Sequence, residues 1–429
     1  MNIRLLLLGC GTVGGELVHL LRRRQEEVRR RWDLDFEIGG ILRRSRQTDE
    51  LSGIPVFTDI DEALDAVKPH IVVELVGGVD PAFSYLRKAI LAGAHIVTAN
   101  KAVLAAHGHV LYELARQHRR LLLAEASVGG AIPILRTLHT SLGVDRVQRI
   151  AGVLNGTCNY ILGRMEHDQI PFSDALSDAQ RLGYAEPDPT LDIDGGDTAH
   201  KTVVLSQLAF GNYEPTDVLE YRGITDLRTE DFEASAQLGL RPRLIGLLES
   251  RGSILVRYVG PALLPDRHPL ARLEGPENGV EILFEEAGSL FLSGPGAGPA
   301  PTAATVVGDI LEIARVADAG HALARWEKPS DEGPESVPFE DLTFSYYIRT
   351  QVLDRPGVLA ALAEALARQQ ISIRSVEQPY RHASSSVPLY FTTDPAPVGR
   401  LLEALRDWEQ LDANTERPVW LPILEDRLS

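Results

Sequence analysis

The chain has 429 residues, enough for two or three domains rather than one ordinary core. Hydrophobic residues make up 44% and charged residues 24%, which is the composition of a folded globular protein and not of a disordered one. The net charge of −17 disfavours a nucleic-acid partner, because phosphate binding needs a basic surface, although a local nest of backbone N–H groups still suits an anionic cofactor.

In chain order, residues 3–8 read as a buried strand and 12–32 as a helix with a heavily charged C-terminal half. Residues 36–42 read as a second strand and 56–58 as a short third. Strands at 71–75, 95–98 and 121–124 alternate with helices at 60–67, 81–91 and 102–117. Strict alternation with largely apolar strands predicts a parallel sheet covered on both faces. From residue 131 the pattern changes to α+β. A helix at 133–141 precedes a strand at 146–154, helices at 171–182 and 198–210, and antiparallel strands at 254–259 and 280–284. A return helix lies at 302–317. Residues 327–340 are polar and proline-containing, the composition of an exposed linker. Beyond them a strand at 343–352, a helix at 357–369 and a strand at 371–377 begin a βαββαβ unit. No internal repeat or low-complexity tract occurs.

The turn after the first strand reads Gly9-Cys-Gly11-Thr12-Val13-Gly14 and opens a helix. Gly9 permits the tight turn, Gly11 lets the backbone approach a pyrophosphate, and Gly14 lets the helix pack near the sheet. First-turn N–H groups at Thr12 and Val13 and the helix dipole then bind phosphate. This predicts a Rossmann-type dinucleotide domain over 1–130, completed by 295–320. The second strand ends on Arg43-Arg44-Ser45-Arg46 rather than on an acidic residue. Guanidinium groups there suit the 2′-phosphate of NADP, with NAD use left open. A solvated basic loop is the plainer alternative.

Residues 183–201 read GYAEPDPTLDIDGGDTAHK, with a lysine closing a run of carboxylates. Prolines and glycines predict a loop through Gly196, with Asp197 starting a helix and Lys201 one turn later on the same face. Carboxylates suit an ammonium group on a substrate, and a lysine can supply a proton to a reduced carbonyl. Alone, the segment also reads as a solvated acidic turn or a metal loop. The spacing of a calcium loop does not fit, since no acidic residue stands at the twelfth position.

Together, GCGTVG, TANK at 98–101, NGTCNYIL at 155–162, the acidic segment at 183–201 and GPGAGPAPTAATVVGDI at 294–310 resemble homoserine dehydrogenase. The resemblance covers residues 1–320 and implies reversible NAD(P)H-dependent reduction of L-aspartate 4-semialdehyde to L-homoserine. It implies Lys201 as general acid, Lys101 as a second cleft lysine, and Glu186, Asp192 and Asp197 as substrate carboxylates. It also implies Gly183 at the substrate and nicotinamide, and Gly298 at the cofactor. Pro299, following Gly298, departs from the family's usual late glycine motif. A monovalent cation, usually Na+, is further implied, held by backbone carbonyls of Glu125, Val128, Gly130 and Ile132. The family expectation for assembly is a homodimer or homotetramer. Residues 131–294 would form the substrate and dimerisation domain.

The C-terminal residues 341–429 resemble an ACT domain of ferredoxin-like topology. The turn at 354–357, Asp-Arg-Pro-Gly, precedes a helix whose N-terminus suits an amino-acid carboxylate, with L-threonine as the effector the resemblance implies. A purely oligomerising role is the alternative. The only cysteines, Cys10 and Cys158, build neither a disulfide framework nor a cysteine metal site, which points to the reducing cytoplasm. The apolar run at the start is too short for a signal sequence or a membrane span.

Three rival functions remain at this point. A phosphorylating aspartate-semialdehyde dehydrogenase would use Cys158 as nucleophile with a histidine such as His167 or His200. A 2-hydroxy-acid dehydrogenase would leave the acidic segment without a role. A non-catalytic amino-acid sensor would not need intact Lys101 and Lys201. The tryptophans, His107, His109 and the basic run at 22–31 read as packing or solvated surface.

Overall fold

The opening apolar run becomes the strand Asn2–Leu8, whose last four leucines have no solvent exposure. The computed structural model describes residues 2–44, 53–318, 333–379 and 386–424. It divides into two units, each described by itself: Met1–Val147 with His200–Val218 and Leu283–Pro334, and Gln148–Ala199 with Leu219–Ile282 and Glu335–Ser429.

In the first unit six strands form a parallel sheet in the order Val56–Phe57, Asp35–Leu42, Asn2–Leu8, Ile71–Glu74, His95–Thr98, Leu122–Leu123. This is the doubly wound order that the strand–helix alternation predicts. It reverses between Asn2–Leu8 and Ile71–Glu74, where such sheets open a ligand crevice at the carboxyl ends of their strands. The helix Thr12–Trp32 has the predicted limits. Its Leu17 and Val18 share a core with Leu5, Leu7 and Val73 of the sheet and with Ala303, Val306 and Ile310 of the return helix Pro299–Asp318. Each such buried aliphatic side chain contributes about 1.5–3 kcal/mol. The basic half of Thr12–Trp32 is a solvated, ion-paired face, with Arg24 and Arg31 on Glu27 and Arg29 on Asp35.

The helix expected at 133–141 is not one regular helix. One turn, Ile134–Arg136, passes into a π-helical stretch, Thr137–Ser141. The Thr137 hydroxyl donates to the Pro133 carbonyl at 2.6 Å, a local bond that competes with the regular ladder.

In the second unit the sheet runs Glu277–Phe284, Val147–Val153, Leu240–Arg251, Ile254–Pro265, Val419–Ile423, Thr343–Leu353, Ser386–Thr393, Ile373–Glu377. The helices Gly156–Asp168, Phe172–Arg181 and Thr229–Gln237 pack on it through Ile161, Met165, Ala175 and Phe232. Gly156–Asp168 and Leu240–Arg251 are absent from the sequence reading. The helix opens on Gly-Thr-Cys-Asn, weak helix formers, and depends on the Asn155 cap, whose Oδ1 accepts from Cys158 N at 2.8 Å. The strand carries Pro242, which disguises it. The strand expected at 254–259 extends to Pro265 because Leu240–Arg251 pairs with it along its whole length.

The C-terminal lobe has the predicted βαββαβ order, with strands fourth, first, third, second across the sheet. It is joined to the rest of its unit by a shared sheet: Ile423 pairs with Leu263, and Leu424 N donates to the Leu263 carbonyl at 2.9 Å. The expected linker at 327–340 is corrected in its second half, its first residues lying outside the described ones. Glu335–Ser336 pairs in parallel with Ile254–Leu255, and Val337 N donates to the Leu255 carbonyl. The prolines at 334 and 338 hold this piece extended. Among the described residues no helix is long and apolar enough to cross a membrane.

Candidate active site

The glycine turn follows from steric need. Gly9 has φ +87°, and a Cβ there would lie 2.9 Å from the Leu75 carbonyl oxygen. At Gly14 a Cβ would lie 3.0 Å from the Gly9 oxygen, while Gly11 faces open space. Gly11 is also the N-cap of Thr12–Trp32 and offers no side-chain cap, so the first-turn N–H groups of Thr12 and Val13 suit a phosphate. Arg43 reaches back over this turn from the end of the second strand, its Nη2 donating to the Cys10 carbonyl at 3.2 Å. Ser45 and Arg46 lie outside the described residues. The residues present therefore fit a dinucleotide.

A buried carboxylate organises the opposite side of the crevice. Glu74 ends the strand Ile71–Glu74 with no solvent exposure. It accepts from Val76 N at 2.8 Å, Gly77 N at 3.2 Å, Thr98 Oγ1 at 2.5 Å and Asn100 Nδ2 at 3.3 Å. These donors satisfy a charge whose burial would otherwise be costly. Asn100 in turn caps the helix Lys101–Gln117, its Oδ1 accepting from Val103 N. Lys101 is thus the first residue of a helix fixed by Glu74. Sequence reasoning missed Glu74, although a carboxylate inside the apolar run Ile-Val-Val-Glu-Leu is a legible signal.

The stretch from Glu125 to Gly130 is buried. Gly129 and Gly130 are both left-handed, and a Cβ on Gly130 would lie 2.6 Å from Gly296. The Glu125 carboxylate accepts from Leu135 N and Arg136 N, and Glu125 N donates to Asp309, which also pairs with Arg136 at 2.8 Å. Burial raises the Glu125 carboxyl; burial and then the Glu125 charge lift Asp309 to about 7. The side chain of Glu125 is thus spent on backbone; backbone carbonyls are donors suited to a hard cation, and of those expected here the Ile132 carbonyl already accepts from Ile134 N at 2.8 Å. Gly298, with φ +119°, starts the return helix, its carbonyl accepting from Thr302 N.

In the second unit Gly183, exposed with φ +78°, ends the helix Phe172–Arg181 by donating to the Gln180 carbonyl. Glu186 is exposed. The expected continuous loop contains one helical turn, Thr190–Ile193, started by Asp188, which accepts from both the N–H and the hydroxyl of Thr190. Asp192 and Asp197 are brought together: the Asn155 Nδ2 donates to each at 2.8 Å. Asp197 stands in the first turn of the helix Gly196–Phe210, and Lys201 follows one turn later; they are 5% and 8% exposed. Asn155 is a further residue missed in the sequence, where only its cap position hinted at it.

Cys158 has no solvent exposure and its thiol donates to the Asp192 carbonyl, an environment without access for an aldehyde. His107 stacks on Phe83 and His109 is exposed, in line with surface roles. The turn at 354–357 ends on Gly357, φ +93°, the N-cap of the helix Val358–Arg368.

Residues 9–125 match the profile "Homoserine dehydrogenase, NAD binding domain", residues 133–311 match "Homoserine dehydrogenase", and residues 346–408 match the ACT domain. The homoserine dehydrogenase of Neisseria gonorrhoeae is 35% identical over 425 residues, covering 98% of each chain. That of Pseudomonas aeruginosa is 34% identical, covering 94% of each. The crystal structure of a homoserine dehydrogenase from Thiobacillus denitrificans superposes with a TM-score of 0.91 at 34% identity over 99% of both chains. A hyperthermophilic archaeal homoserine dehydrogenase in complex with NADPH gives 0.62 at 26% identity, covering 73% of this chain and 98% of that one. The rival readings as a phosphorylating dehydrogenase, a 2-hydroxy-acid dehydrogenase or a sensor find no support among these relatives. The chain belongs to the homoserine dehydrogenase family, as an oxidoreductase with a nicotinamide-nucleotide domain and a C-terminal ACT domain.

Proposed function

We propose that this oxidoreductase interconverts L-aspartate 4-semialdehyde and L-homoserine, with Lys201 giving a proton to the developing alkoxide and taking it back in the oxidative direction. The observation that carries this reading is the tie of Asp192 and Asp197 to one amide, that of Asn155, at the start of the helix bearing Lys201. Carboxylates fixed in this way are preorganised for a substrate ammonium group. By resemblance Glu186 joins them and Gly183 borders the substrate, and Lys101, first residue of the helix that Glu74 holds, is the second lysine of the reaction. A bound nicotinamide supplies the hydride acceptor or donor. The chain's own contribution is orientation, ammonium binding and proton movement at the Lys201 Nζ.

Arg43, lying across the glycine turn, supports NADP(H) over NAD. The buried stretch 125–130, left-handed at Gly129 and Gly130, supports a monovalent cation of the Na+ class on the carbonyls of Glu125, Val128, Gly130 and Ile132. The nucleotide domain would comprise 1–130 with 295–320, the substrate domain 131–294, and the ACT domain 341–429 with L-threonine at the turn 354–357. A cytoplasmic homodimer or homotetramer completes the reading.

The test is nicotinamide reduction by the purified chain with L-homoserine. The expected result is turnover, a higher kcat/KM with NADP than with NAD, and inhibition by L-threonine. No turnover with either cofactor overturns the reaction, a strong NAD preference overturns the role of Arg43, and indifference to threonine removes that effector.

A further inference from the structure

Remote in sequence from the glycine turn, the second unit contains a cavity of about 750 Å³. One wall is the segment carrying Glu220, Arg222 and Asp226; the facing wall belongs to the C-terminal lobe, with Arg349, Glu416 and Trp420. Most of the charge here is already matched. Arg349 is spent on Asp231 at 2.8 Å and on the Asp226 carbonyl, and Glu416 is spent on Arg228 at 2.7 Å.

Arg222 differs. Its guanidinium lies 3.9 Å from the centroid of the Trp420 ring and donates through Nη1 to the Trp420 carbonyl at 3.1 Å. Among the described residues it has no carboxylate partner. Burial pulls the pKa of this half-buried group below the usual value, against the opposing pull of Tyr258 and Asp226. A guanidinium has five donors in a planar fork, so most of this group's capacity is unspent. On the same wall the carboxylates of Glu220 and Asp226 are exposed and have no ion pair among the described residues. One cavity therefore offers a half-buried guanidinium with donors to spare and two exposed carboxylates that make no close ion pair among the described residues.

We propose that this cavity binds a free α-amino acid, its carboxylate on the Arg222 guanidinium and its ammonium toward Asp226 and Glu220, as a regulatory ligand distinct from any at the turn 354–357. The complementarity is that of a zwitterion, since a plain anion would meet the carboxylates and a plain amine the guanidinium. The wall also leads to the acidic segment. Ile224 N donates to the Ile193 carbonyl at 2.9 Å, and a Cβ on Gly195 would lie 2.8 Å from the Arg222 carbonyl oxygen. Gly223 likewise leaves no room for a Cβ against Ile193 and Asp194. A ligand that repositions Arg222 thus acts on the chain that carries Asp192 and Asp197, and its effect falls on the KM for homoserine.

The experiment is calorimetric titration and thermal unfolding of the full chain with individual protein amino acids, with succinate and inorganic phosphate as probes lacking the ammonium group. At least one amino acid is expected to bind, to raise Tm and to shift the KM for homoserine. Arg222→Gln is expected to weaken that binding about 10- to 100-fold, the range of a lost charge-assisted hydrogen bond. Asp226→Asn, at an exposed position, weakens it several-fold, and both variants still oxidise homoserine when no ligand is added. The proposal is overturned if no amino acid binds, if both variants bind as tightly as the parent, or if succinate or phosphate binds as tightly as the best amino acid. It is also overturned if Asp354→Ala abolishes binding while Arg222→Gln does not, or if bound ligand leaves the KM unmoved. Homoserine oxidation without ligand reads the reaction itself, so the failure of one reading is distinguishable from the failure of the other.

Discussion

Asn100 hangs from Glu74: its side-chain amide donates to the buried carboxylate at 3.3 Å and to the Gly78 carbonyl at 2.7 Å, while its own oxygen caps the helix that Lys101 begins. Glu74→Gln keeps the size but turns an amide N–H toward groups that are themselves donors. The expected result is a fall of about 10²-fold in kcat, the scale of a reacting group displaced by an ångström. The fold should survive, as read by circular dichroism. Unchanged steady-state kinetics would show that Glu74 does not position Lys101.

A second carboxylate joins the C-terminal lobe to the rest of its unit. Asp231 is fully buried and accepts from Arg349 Nε at 2.8 Å, from the Tyr347 hydroxyl at 3.0 Å and from Arg228 N at 2.9 Å. Arg349→Met strands this charge and is expected to cost about 3–5 kcal/mol in urea unfolding. The double variant Asp231→Leu with Arg349→Met recovers most of the loss. If the single and double variants are equally unstable, lost packing and not a stranded charge sets the cost.

Lys201→Ala removes the proposed proton donor. Loss of a general acid typically costs about 10²–10⁴-fold in rate, and kcat for homoserine oxidation is expected to fall within that range. NADPH binding, followed by nucleotide fluorescence, should stay near that of the parent. Near-normal turnover would mean that another group moves the proton.

Burial pushes the His95 imidazole down to about 4, helped by the nearby Arg120 and His70 charges, and its Nδ1 accepts from Leu121 N at 2.9 Å. The unfolded chain binds this proton near 6.5. The folded pKa is therefore the lower one, so this stabilisation is complete above about pH 6.5 and is lost as the pH falls to about 4, amounting to about 3 kcal/mol. His95→Asn keeps an acceptor in place of Nδ1 but does not titrate. Its unfolding free energy should decline less steeply than the parent's over that interval; identical slopes would refute the assignment.

Features with a local cause were legible in the sequence. The limits of Thr12–Trp32, the glycine turn and the strand–helix alternation each follow from residue type and spacing within a short window. Asp197 and Lys201 could be placed one turn apart on a helix because that relation is also local. Features whose partners are distant in sequence were not. Asn155 gathers Asp192 and Asp197 from 37 and 42 residues away, and Glu74 reaches Thr98 and Asn100 at the end of the neighbouring strand, 24 and 26 residues on. Glu335–Ser336 looked like linker because its reason for order, the edge near Ile254, carries no mark in its own composition. Backbone carbonyl ligands at 125–132 have no side-chain signature at all, so only resemblance pointed to them.

The pairing of Val419–Ile423 and Glu335–Ser336 with Ile254–Pro265 also bears on dissection of the protein. A truncation before residue 335 would bare one flank of this strand at Ile254–Leu255 and at Leu263, leaving unsatisfied N–H and C=O groups there as a template for intermolecular association. Such a fragment would be prone to precipitate, so the role of the C-terminal lobe is better probed by point substitution than by excision.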